Sequence, residues 1–154
     1  MDKTQLLLND LKSSDPATRN HATQALWTLW YREAGEHAEQ ELQRGTSLMN
    51  QKHLKEAEQV FSGLIKKYPD FPEAHNKLAT VFFLQNRYSE SVAECELTLQ
   101  MNPHHFGAWN GMGMGLYKLA RYDQAMKSFV MACRIQPHAD VNRGYIARCR
   151  AKLN

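Results

Sequence analysis

The chain has 154 residues, 43% of them apolar and 23% charged, with a formal net charge of +3. That length suits one compact domain, and so small a cationic excess does not by itself point to nucleic acid. The start, Met1-Asp2-Lys3-Thr4-Gln5 before a short apolar core of Leu6-Leu7-Leu8, does not predict a secretory signal. The longest uncharged, fairly apolar run, Ala22 to Tyr31, is too short to span a membrane.

In chain order, the first predicted element is a short helix over 4–12, with Thr4 as its cap and Leu7, Leu8 and Leu11 on one edge. Ser13-Ser14-Asp15-Pro16 breaks the chain and restarts it: Asp15 can cap a second helix with Pro16 in its first position. That helix is expected to run to about Glu33, with Ala22, Ala25, Leu26, Leu29 and Trp30 buried and Gly35 as its stop.

From Ala38 a register appears. Pro69, Pro103 and Pro137 are spaced 34 residues apart, and each closes a stretch rich in helix formers. Proline lacks the N–H that a helix interior needs and disfavours helix in the residue before it, so each marks a stop. Counting back from the prolines gives repeats 38–71, 72–105 and 106–139. In the third, Trp109, Met112, Gly113 and Leu116 fall at positions 4, 7, 8 and 11, and Ala125, Phe129 and Ala132 at positions 20, 24 and 27. This pattern resembles the tetratricopeptide repeat, two helices per 34 residues. In that family positions 8 and 20 lie where the paired helices cross, so small residues are required there. The first repeat keeps Gly45, Leu48, Ala57, Phe61 and Pro69 but departs at Glu41 and Arg44. The second keeps Leu78, Ala79, Phe82 and Pro103 and departs at His75, Ser91, Cys95 and Thr98. The preceding hairpin, 1–37, is similar to a HEAT unit through Leu11, Asp15, Pro16, Arg19, Ala22 and Leu26, and is expected to cap the array. After Pro137, Asp140 is expected to cap a last, solvating helix over 140–154. The resemblance therefore implies an all-α, right-handed tetratricopeptide solenoid, with an N-terminal helical hairpin and a C-terminal capping helix.

Little in the sequence suggests catalysis. Gly111, Gly113 and Gly115 follow no strand and open no helix, so they are not a phosphate loop. Gly113 is needed for packing, whereas Gly111 and Gly115 loosen the helix or let a partner near its backbone. His104-His105 sits at a turn between repeats and reads as a loop pair; adjacent histidines share no helix face for a metal. No cofactor, metal site or enzyme constellation is predicted. The three cysteines, Cys95, Cys133 and Cys149, are odd in number and form no C-x-x-C pair. They predict free thiols in a reducing compartment, cytoplasmic or, in a photosynthetic eukaryote, the plastid stroma.

What remains is the concave surface, which this repeat geometry lines with positions 2, 5, 9, 12 and 13 of each first helix. The predicted partner-binding groove comprises Thr46, Met49, Asn76, Thr80, Phe83, Leu84, Asn110, Met114, Tyr117 and Lys118. Asn76 and Asn110 share one register position, so their amides are expected to form a row able to hold an extended backbone. The Met and aromatic residues beside them suit an adaptable apolar or amphipathic peptide or helix. Tetratricopeptide domains that hold acidic chaperone tails use a Lys/Asn/Arg clamp. Its positions here carry Leu42, Thr46, Lys77, Gly107 and Gly111, so that mechanism is not expected. The function that follows is a non-enzymatic interaction adaptor or scaffold that assists assembly of a complex. Two alternatives stay open: self-association through Trp27, Trp30 and Tyr31 or through the repeat ends, and nucleic-acid or acidic-partner binding through Arg143, Arg148, Arg150 and Lys152.

Overall fold

The computed structural model describes all residues, Met1–Asn154, as nine helices and no strand. They are α1 (Lys3–Asp10), α2 (Pro16–Arg32), α3 (Glu36–Asn50), α4 (Leu54–Lys67), α5 (Pro72–Leu84), α6 (Tyr88–Met101), α7 (Phe106–Lys118), α8 (Tyr122–Ile135) and α9 (Asp140–Leu153). Helices α3–α8 pair as consecutive antiparallel hairpins, and α9 packs on α8.

Local chemistry sets most boundaries. Asp2, not Thr4, caps α1, accepting from the Gln5 N–H at 2.8 Å. A carboxylate accepts an orphan helix N–H and suits the positive helix end better than a hydroxyl does. Asp15 caps α2 through the Thr18 N–H at 3.2 Å, with Pro16 in the first turn. Gly35 turns the chain from α2 into α3 at φ +94°, a torsion that favours glycine. Asp140 does not cap α9 but is its first residue, paired with Arg143; Ala139 takes the cap position. The turns inside the three hairpins are alike. Lys52, Asn86 and Ala120, each 34 residues from the next, occupy the left-handed region at φ 68°, 61° and 59°.

The crossing points explain the repeat residues by size. A Cβ on Gly45 would lie 2.5 Å from the Phe61 ring, and one on Gly113 would lie 2.7 Å from Phe129. Both phenylalanines are fully buried, as are Ala57 and Ala125. The second repeat exchanges the sizes: Ala79 replaces glycine and Cys95 replaces phenylalanine, while the Ser91 hydroxyl donates to the Ala79 carbonyl at 2.8 Å. Gly115 also has a packing role, since its Cβ would come within 2.8 Å of Val92 on α6. Truncating Phe61 or Phe129 to alanine would cost about 3–5 kcal/mol.

The N-terminal hairpin reaches well beyond the first repeat. Leu7, Leu8, Leu11, Ala22, Leu26 and Trp30 form a core with Phe106, at the start of the third repeat's first helix. Helix α2 thus lies across the beginnings of α5 and α7 as well as against α3.

Candidate functional site

The path of α2 divides the concave surface. At its covered end, Trp30 stacks on His105 with centroids 4.5 Å apart, and Trp27 meets His105 and Phe106 edge-on, each at 5.3 Å. Gly107 is required there, because its Cβ would lie 2.8 Å from Trp27. Trp27, Trp30 and Tyr31, the expected self-association surface, all pack against other parts of the chain: Trp30 is buried, half-buried Trp27 sits on Phe106, and half-buried Tyr31 lies under Lys77 at 5.2 Å.

Beneath the tryptophans lies a polar pair with no exposed side-chain surface. His105 lies at the turn between repeats, as expected, but as the N-cap of α7 with a fully buried side chain that pairs with Glu73 at 2.7 Å. Its Nδ1 accepts from the Ala108 N–H at 3.0 Å, so the ring carries its proton on Nε2 and donates that proton to the Glu73 carboxylate. The other Glu73 oxygen accepts from the Asn76 amide at 3.1 Å. Glu73 also sits in the first turn of α5, where the helix dipole favours a carboxylate. The same side chains that fix the register of α5 against α7 therefore hold one wall of the groove.

Beyond α2 the surface opens into a cleft of about 220 Å³ between α5, α6 and α7. Five of the ten expected residues line it: Asn76, Thr80, Phe83, Asn110 and Met114. Thr46, Met49, Leu84, Tyr117 and Lys118 do not. Met49 is buried in the core between the first and second repeats. Tyr117 packs edge-on against Tyr122 and Tyr145, at 5.2 and 5.6 Å. Leu84 and Lys118 are exposed, and Thr46 bonds the carbonyl of Leu42 at 2.7 Å.

The two asparagines line one cleft, but neither amide is idle. Asn76 is buried and donates to Glu73; Asn110 donates to Asn142 on α9 at 2.9 Å. Little of the cleft floor was foreseen beyond Gly111. The floor consists of Ala79, Ser91, Cys95, Gly107 and Gly111, residues with little or no side chain. Three of them carried a signal, since Ser91, Cys95 and Gly111 all stand out from the repeat pattern. Cys95 lies 3.4 Å from where a Gly111 Cβ would be, and burial pushes its thiol up to about 12. It is a packing thiol, not a nucleophile. No group of three His, Cys, Asp or Glu side chains converges as a metal site. No helix is long and apolar enough to cross a membrane.

A right-handed array of helical hairpins, with one large and one small residue at each crossing and a concave cleft, defines a helical-repeat protein. Residues 42–105 match the model of the tetratricopeptide repeat family. That stretch, 42–105, carries tetratricopeptide repeats. The chain is 32% identical over 69 residues to a TPR repeat-containing protein of Rhizobium etli, covering 45% of this chain and 34% of that one. It is 23% identical over 128 residues to Tetratricopeptide repeat protein 33 of Homo sapiens, covering 83% of this chain and 49% of that one. The chain thus spans a third to a half of the length of these relatives. Among solved structures it resembles the first TPR of Spaghetti (RPAP3) bound to the HSP90 peptide SRMEEVD, with TM-score 0.72, 16% identity, and coverage of 73% of this chain and 90% of that one. It also resembles the Sgt2 TPR domain of Aspergillus fumigatus, with TM-score 0.70, 16% identity, and coverage of 74% and 77%.

Proposed function

We propose that this chain is a protein-interaction adaptor that holds a peptide or helix of a partner in the cleft between α5 and α7, and so assists assembly of a larger complex. The carrying observation is the cleft itself: apolar Phe83 and Met114 beside polar Thr80 and Asn110, over a floor almost without side chains. A narrow floor lets a partner backbone approach closely, and mixed walls suit an amphipathic segment. The side-chain oxygens of Asn76 and Asn110 would accept backbone N–H groups, while their amide nitrogens stay on Glu73 and Asn142. Thr46, Met49, Leu84, Tyr117 and Lys118 would act only where a longer ligand runs out of the cleft. The proposed organisation is a hairpin over 1–37, repeats over 38–139 and a solvating helix over 140–154.

Structural neighbours hold acidic chaperone peptides, as the complex with SRMEEVD shows for the first TPR of RPAP3. A peptide of that kind is the natural comparator here. The clamp positions argue for a different ligand: Leu42 is fully buried, Gly107 lies under Trp27, and Lys77 is engaged over Tyr31. The test is affinity capture from the native cell with wild type and Thr80→Arg, which plugs the cleft from an exposed position. Partners should be lost with the variant while helicity is unchanged, and a titrated SRMEEVD peptide should bind neither protein. Identical capture profiles would sink the cleft mechanism, and saturable SRMEEVD binding would replace the apolar or amphipathic ligand with an acidic tail.

A further inference from the structure

In the 34-residue register α9 stands where a repeat has its first helix. One side of it is occupied: Asn142 and Cys149 are buried, and Tyr145 stacks on Phe129 with centroids 4.7 Å apart. The side that a second helix would cover is open. Positions 4, 7, 8 and 11 of this register are Arg143, Ile146, Ala147 and Arg150. In the complete repeats position 8 lies under the paired helix, with Gly45 against Phe61 and Gly113 against Phe129. Here the four residues instead line a cleft of about 450 Å³ together with Cys133 and Pro137. Arg143, Ala147 and Arg150 are all exposed.

We propose that this open face of α9 binds an acidic amphipathic helix of a partner protein, docked against it as the second helix of a repeat packs on the first. The floor, Ile146 and Ala147, asks for small and apolar residues. The rim is cationic at both ends of the four-position row. Arg143 is shared between Asp140 and the Pro137 carbonyl, and Arg150 pairs with no carboxylate of the chain. Helix α9 carries Arg143, Arg148, Arg150 and Lys152 against one carboxylate, Asp140. The molecule contains its own template for such a ligand. Helix α6 packs on Ala79, which is the same residue at the same register position as Ala147, and does so through Ser91. It carries Glu90, Glu94 and Glu96 and no Lys or Arg. A helix of that kind would set a small residue over Ala147 and carboxylates beside Arg143 and Arg150. A phosphate backbone would use the rim and leave the apolar floor idle.

The probe is a fluorescein-labelled synthetic peptide of the α6 sequence, residues 88–101, with Cys95→Ser, titrated with the full chain by fluorescence anisotropy. Saturable binding is expected, weakened at least about tenfold by Ala147→Trp, which blocks that face from an exposed position. The double variant Arg143→Glu with Arg150→Glu should weaken it by a similar factor of about ten, as should Glu→Gln at all three carboxylates of the peptide. Circular dichroism checks that each variant keeps its helices. No saturable binding, or binding that Ala147→Trp leaves unchanged, overturns the proposal. So does a dimer that Ala147→Trp converts to monomer in sedimentation, which would make the occupant a second copy. Displacement of the peptide by an RNA oligonucleotide with a steep salt dependence would also overturn it.

Discussion

The two ends of the concave surface are built from the same helices to opposite purposes. At the beginnings of α5 and α7, α2 lies over the surface, and every polar group beneath it is answered by a protein partner: Glu73 by His105 and Asn76, His105 by Ala108. Two turns further along, Thr80, Phe83 and Met114 line a cleft with nothing above them. The covered end fixes the angle between the repeats, and the open end is where the proposed ligand would sit. In that reading rigidity and recognition are separated along single helices, so their residues can be tested separately.

The largest effect should come from the covered end. Removing His105 with His105→Ala strands a buried Glu73 carboxylate on one remaining hydrogen bond, and should cost about 3–5 kcal/mol by urea unfolding. A loss below about 1 kcal/mol, the worth of one ordinary hydrogen bond, would show that the pair does not hold α5 to α7. Next comes Gly107→Val, which forces Trp27 from its place and should cost about 1–3 kcal/mol with a shifted tryptophan fluorescence. Unshifted emission would mean that α2 does not press on α7 there.

A smaller effect tests the other His–Glu pair. His75 donates from Nδ1 to Glu94 at 2.7 Å and from Nε2 to the Pro69 carbonyl at 3.3 Å, an arrangement suited to imidazolium. Burial, the largest single influence, pushes its pKa down, but the Glu94 bond and charge with the Pro69 carbonyl outweigh it and raise it above the ordinary 6.5. Because the folded-state value is the higher one, this stability is fully present below pH 6.5 and is lost as pH rises through the folded value. The margin of wild type over His75→Gln in thermal melts should therefore widen between pH 8 and pH 6. A margin independent of pH would show that folding leaves the His75 pKa unchanged, and one that narrows towards pH 6 would show it lowered. The smallest stability change belongs to the open end: Thr80→Arg should stay within about 0.5 kcal/mol of wild type in the same urea titration. A larger loss would mean that the cleft is part of the core.

The repeat array was legible because it rests on size at fixed intervals. Gly45 with Phe61 and Gly113 with Phe129 can be read from spacing alone, since a crossing of two helices admits only one large side chain. Half of the cleft's lining was legible for the same reason: Asn76 and Asn110 share a register and do share a cleft. What escaped depended on α2, whose path has no period. Nothing in Trp27 and Trp30 says that they reach residues nearly eighty positions away, so the side chain of His105 read as that of a loop residue and its pairing with Glu73 did not show. Met49 and Tyr117 escaped differently: both are large enough to serve either a core or a surface, and packing took them.

The left-handed residues at the three hairpin turns bear on how much change this protein can tolerate. None of Lys52, Asn86 and Ala120 is a glycine, although each adopts a torsion that costs an ordinary side chain about 1 kcal/mol or more, and asparagine less. All three lie outside both clefts. The molecule therefore keeps a reserve: glycine at position 52 or 120 would free stability that could offset mutations in the proposed binding cleft, leaving its lining to evolve without loss of the scaffold.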